Sequence, residues 1–119
     1  MSNEFMRKLV KVFKALSDSN RIRILKMLEI RPLCVCEITE VLQLATSTVS
    51  KHLSILREAD FILDEKEGKW VNYYINRKQT SEYVRHLLPL IRTWLPDDEQ
   101  ILNDEKKVQT VDRKELCGI

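Results

Sequence analysis

The sequence predicts a mainly α-helical fold with one β-hairpin. Apolar residues recur at helical spacing along most of the 119 residues. A single stretch, residues 61–76, is instead rich in β-formers on both sides of a charged turn. Two glycines and three prolines are too few for a turn-rich β-architecture.

Taken in order, Phe5, Leu9, Val12, Phe13 and Leu16 fall at i, i+4, i+7, i+8 and i+11, an amphipathic first helix. Residues 17–20, SDSN, are of the kinds that stop one helix and cap the next. Ile22, Leu25 and Leu28 carry a second helix up to Pro32, and a short third helix holds Ile38, Val41 and Leu42. A fourth runs from near Thr46 to about Ala59 and buries Val49, Leu53 and Leu56. The β-rich stretch turns back at Gly68 as a hairpin. Helical spacing returns with Val84, Leu87, Leu88, Ile91 and Leu95, where Pro89 predicts a kink or a split because it supplies no N–H. Residues 1–96 thus form one domain with the element order of a winged helix-turn-helix. Residues 97–119 are expected to be a tail, a short acidic-to-basic helix followed by disorder.

Hydrophobic content of 44% and charged content of 32% describe a soluble globular protein. The opening segment has polar and basic residues throughout its length, so it lacks the apolar core of a signal peptide. No apolar run approaches bilayer-spanning length, so no membrane partner is expected. Three cysteines, two of them at i and i+2, do not suggest a disulfide framework, and a reduced, cytoplasmic setting is expected. Charge is unevenly spread. Arg7, Lys8, Lys11, Lys14, Arg21, Arg23 and Lys26 face Asp18 alone, whereas Asp97, Asp98, Glu99, Asp104 and Glu105 stand together. Such asymmetry permits a nucleic-acid face and equally fits a solvated helix surface.

The fourth helix decides between them. Ser47, Ser50, Lys51, Ser54 and Glu58 lie opposite its apolar stripe. Thr46, Ser47, Thr48 and Ser50 place small hydroxyls at its start, where phosphate and base edges can approach closely. Lys51 and Arg57 supply charge, and His52 shares a side with Thr48. Serine is a poor choice for an ordinary helix interior, and the preceding short helix and turn fit major-groove docking. At the hairpin tip Lys66 and Lys69 are placed to reach flanking phosphates, among Asp64, Glu65 and Glu67.

The stretches FKALSDSNRIRILKML, LATSTVSKHLSILREADFI and KEGKWVNYYIN, across residues 13–76, together resemble the ArsR/SmtB family of metal-sensing winged-helix repressors. LCVCEI resembles its arsenic-responsive branch. The resemblance implies a homodimer built by the first and last helices, with Val84, Leu87, Leu88 and Ile91 packed on Leu9 and Val12 within and between subunits. It implies an operator of two related half-sites in double-stranded DNA. It also implies release from that DNA when arsenite or antimonite binds as inducer, with no catalytic cofactor.

Cys34 and Cys36 are the residues for such a ligand. Side chains at i and i+2 of an α-helix point about 200° apart, so the pair can clamp one ion only if the helix start is extended or unwinds. A helix N-terminus is expected to lower thiol pKa, and thiolates select soft, thiophilic ions. The alternative is that both are small buried hydrophobes. The arsenic branch often has a third cysteine three residues after the second, where this chain has Thr39. Cys117 then stands either as a third ligand, from either subunit, or as an idle tail residue. His52 and His86 are far apart, and the last long helix lacks the paired His and carboxylate pattern of the zinc-sensing branch.

An enzyme is not expected. A small thiol reductase would want Cys-x-x-Cys in a βαβ setting, and CVC offers neither. A thiol redox or persulfide sensor on the same scaffold is the nearer alternative, and a protein-interaction winged helix a further one.

Overall fold

The structure, a computed structural model, describes residues 3–78 and 81–116. Helix α1 (Glu4–Leu16) is capped by Asn3, whose side chain accepts the Met6 N–H at 2.8 Å. Helix α2 (Ser19–Ile30) begins at Asp18, whose carboxylate accepts the N–H groups of Asn20 at 2.8 Å and Arg21 at 3.2 Å. Burial pushes that carboxyl up. The two amides, with the neighbouring His52 and Arg21 side chains, outweigh it and hold the carboxyl below its ordinary range.

A two-residue strand, β1 (Leu33–Cys34), precedes helix α3 (Val35–Leu42) and was not predicted, being too short to show a period. Helix α4 (Thr46–Glu58) follows, then the expected hairpin of β2 (Ile62–Glu67) and β3 (Trp70–Ile75) around Gly68. Gly68 has φ +60°, a conformation that costs glycine little. The sheet is antiparallel in the order β1-β3-β2, with Leu33 opposite Tyr73, Cys34 opposite Asn72 and Glu67 opposite Trp70.

Helix α5 (Glu82–Thr93) stays one helix through Pro89 instead of splitting, and it ends before Leu95. Its last carbonyls are satisfied from α2. The buried Lys26 ammonium donates to the carbonyls of Ile91 at 3.0 Å, Arg92 at 3.1 Å and Trp94 at 2.7 Å.

The tail departs most from expectation. Helix α6 (Glu99–Thr110) buries Ile101, Asp104 and Val108, and a short α7 (Arg113–Leu116) follows where disorder was expected. Arg23 of α2 grips Asp104 with two bonds, Nε to Oδ2 at 2.8 Å and Nη2 to Oδ1 at 2.9 Å. The core beneath these elements includes Ile24, Leu25, Met27, Leu33, Ile38, Leu53, Leu56 and Phe61, all fully buried.

Candidate nucleic-acid interface and thiol site

Val49, Leu53 and Leu56 seat α4 in the core and turn its other face outward. Thr46, Ser47, Thr48, Ser50, Lys51 and Ser54 are all exposed. Ala45 at the N-cap brings no side-chain acceptor, so the first-turn amides are left for an outside one. The preceding turn is tight: Gln43 adopts the left-handed conformation and donates its N–H to the Thr39 carbonyl at 2.8 Å.

Two residues expected on this face are engaged elsewhere. His52 is half-buried and turned toward the α1–α2 junction, its Nδ1 3.1 Å from Arg21 Nη1. Arg21 also donates to the carbonyls of Ala15 at 2.8 Å and Lys14 at 3.0 Å, so it holds His52 against that junction. Arg57 is half-exposed and ion-paired through Nε with Asp64 of β2, which joins the helix to the wing and spends part of its charge. Lys66 and Lys69 are exposed on either side of Glu67 and Gly68.

At the thiol site, Cys34 is the N-cap of α3, extended at φ −90° and ψ 168°, and so lies outside the helix. It is a buried free thiol. Burial pushes its pKa up; the Glu37 N–H opposes this in part, and the Glu37 carboxylate adds to it. The lowering expected at a helix start is therefore absent, because the thiol faces the core and a carboxylate. Glu37, itself buried, accepts the Cys34 N–H at 3.0 Å. That spacing of three residues is a capping-box signal legible in the sequence but not used. Cys36, two residues on and half-buried, is disulfide-bonded, contrary to the expectation of reduced thiols. Thr39 donates its hydroxyl to the Cys36 carbonyl at 2.8 Å and is spent on the backbone. Among the described residues no three His, Cys, Asp or Glu side chains converge as a metal site. Cys117 lies outside the described residues.

Val12, Val84 and Ile91 are buried within the protomer, and Leu9, Leu87 and Leu88 are half-buried. Beyond them α1 and α5 expose large apolar side chains that were not singled out for an interface: Phe5, Met6, Phe13, Leu90 and Trp94. No helix of the described residues is long and apolar enough to cross a membrane.

Residues 18–63 match the family model described as bacterial regulatory protein, arsR family. The chain is 35% identical over 107 residues to the arsenical resistance operon repressor of Escherichia coli, covering 87% of this chain and 81% of that protein. It is 36% identical over 92 residues to the arsenic resistance transcriptional regulator ArsR1 of Pseudomonas putida, covering 73% and 71%. Among solved structures it is similar to HlyU from Vibrio cholerae, with a TM-score of 0.62 and 30% identity over 76% of this chain and 94% of that one.

Proposed function

The chain belongs to the arsR family of bacterial regulatory proteins, DNA-binding transcriptional repressors rather than enzymes, and on that premise we propose a more specific activity. A homodimer holds the operator of an arsenic-resistance-type operon and lets go when arsenite or antimonite binds the Cys34 and Cys36 thiolates. One observation carries this reading: Cys34 is already extended at the N-cap. The two sulfurs are therefore not fixed on opposite faces of a helix, and a modest change in the first turn of α3 can bring both to one ion.

Cys36 must first be reduced, since only a thiolate is a ligand. A third coordination position is left to Cys117 or to hydroxide. Thr46, Ser47, Thr48 and Ser50 read the major groove, Lys51 binds phosphate, and Ser54, Arg57, Lys66 and Lys69 flank it. The apolar faces of α1 and α5 meet a second copy, which two half-sites require. Titrating the reduced protein–DNA complex with arsenite, antimonite, Zn²⁺ and Cd²⁺ tests the reading. Release by the two metalloids at the lowest concentrations is expected; release by Zn²⁺ alone would overturn it.

The disulfide at Cys36 favours one further reading, a thiol redox sensor in which oxidation itself changes DNA affinity. Release by an oxidant with no metalloid present, reversed by dithiothreitol, would support it.

A further inference from the structure

The C-terminal helices close a circuit of contacts between the cysteine turn and the wing. Arg31, in the turn after α2, donates through Nη2 to three acceptors. These are Glu37 Oε2 at 3.1 Å, the Val108 carbonyl at 3.0 Å and the Val111 carbonyl at 3.1 Å. Glu37 is the same carboxylate that holds the Cys34 N–H through its other oxygen. The end of α6 is thereby fastened to the residue that caps the cysteine turn.

Two residues past Val111, Arg113 reaches the wing. Its guanidinium lies over the Trp70 ring, 4.1 Å from the centroid. It donates to Asn72 Oδ1 at 3.0 Å and pairs with Glu67 Oε1 at 3.3 Å. Asn72 is the residue opposite Cys34 in the sheet, and its amide also holds Glu67 near the wing tip. A groove of about 610 Å³ between the α6–α7 junction and the wing includes Arg31, Glu37, Glu67, Asn72 and Arg113 in its lining.

We propose that α6 and α7 form a strap that positions the wing according to the state of the cysteine turn, with Arg31 and Arg113 as its two positioning residues. When the first turn of α3 rearranges, Glu37 shifts, Arg31 loses its anchor on the α6 carbonyls, and Arg113 is drawn off Trp70 and Glu67. Glu67 then keeps only the Asn72 amide and loses the cation that neutralised it, and its negative charge beside Lys66 and Lys69 opposes their approach to phosphate. This rests on the cysteine turn being where the inducer acts. Its test uses no inducer, so failure of the arsenite reading and failure of the strap are separable.

The test is a double-mutant cycle on DNA affinity between Glu37→Gln and Arg113→Ala, residues at opposite ends of the strap. The probe is a duplex selected from a randomised pool by the wild-type protein, and melting curves confirm that each variant is folded. Each single change is expected to weaken binding roughly three-fold or more. The double variant should bind no worse than the weaker single, because the strap is already cut. Arg31→Lys in place of Glu37→Gln gives a second cycle if the first variant does not fold. A second readout needs no DNA. In a Trp94→Phe chain Trp70 is the sole tryptophan, and Glu37→Gln should raise its quenching by acrylamide. Effects that simply multiply, or Trp70 quenching unchanged by Glu37→Gln, would overturn the strap.

Discussion

Lys51 is the exposed cation on the open face of α4 with no ion pair among the described residues, whereas Arg57 is tied to Asp64. Lys51→Ala should therefore weaken DNA binding and flatten its logarithmic salt dependence by about 0.9, one phosphate contact. Arg57→Ala should change the slope less, which binding isotherms at several salt concentrations would show. Asp18 makes a different contribution. Asp18→Ala removes two accepted amide bonds at the start of α2 and should cost about 1 kcal/mol. Because its folded pKa lies below the ordinary 3.8, the cap's contribution is complete above about pH 4 and fades as pH falls through the lower folded value. The difference in melting temperature between wild type and variant should shrink accordingly in acid. The hydroxyl face of α4 was legible because period and residue type coincide there. His52 was not, since what turns it inward is an arginine 31 positions earlier, and no local pattern announces such a partner. Cys34 misled for a related reason: its helix-start position predicted an acidified thiol, while its burial among core residues, a tertiary fact, reverses the sign.

Among the elements, α6 shows what charge patterning can say and what it leaves open. The basic segment around α2 and the acidic run after residue 96 were each visible, but not that Arg23 and Asp104 meet. Asp104 is only 1% exposed, so the pair is effectively buried on the carboxylate side. Asp104→Ala leaves Arg23 without its partner and should cost about 3 kcal/mol, read by urea denaturation. Loosening α6 should also expose Val108 and Ile101 to solvent, raising the slope of hydrogen exchange along Glu99–Thr110. The hairpin, by contrast, was predicted within a residue or so, because β-formers, charged turn and glycine agree. Strand β1 has no sequence signature, because two residues carry no period and pair only with distant partners, Leu33 with Tyr73 and Cys34 with Asn72. Pro89 predicts a kink or a split, and of these the split does not occur: α5 runs through it as one helix. The end of that helix is held from another element, by Lys26 on the carbonyls of Ile91 and Trp94.

At the scale of the molecule, the radius of gyration is 14.5 Å, against about 13.5 Å for a compact domain of this length. Projecting α1, with Phe5 70% and Phe13 57% exposed, accounts for apolar surface that a lone protomer would rarely leave in water. Phe13→Glu should yield monomers by sedimentation and lower DNA affinity by about a hundred-fold, since each half-site then binds without the linked second contact. A variant that stays dimeric would relocate the interface. The central claim concerns the doorway between α2 and α4: the ligand acts there, and DNA affinity responds. Arsenite-driven dissociation from the selected duplex, measured under reducing conditions for wild type, Cys34→Ser, Cys36→Ser and Cys117→Ser side by side, tests it most directly. The first two substitutions should each keep DNA binding and abolish release, and Cys117→Ser should at most weaken it. Normal release by Cys34→Ser and Cys36→Ser would contradict the account and move the inducer site elsewhere.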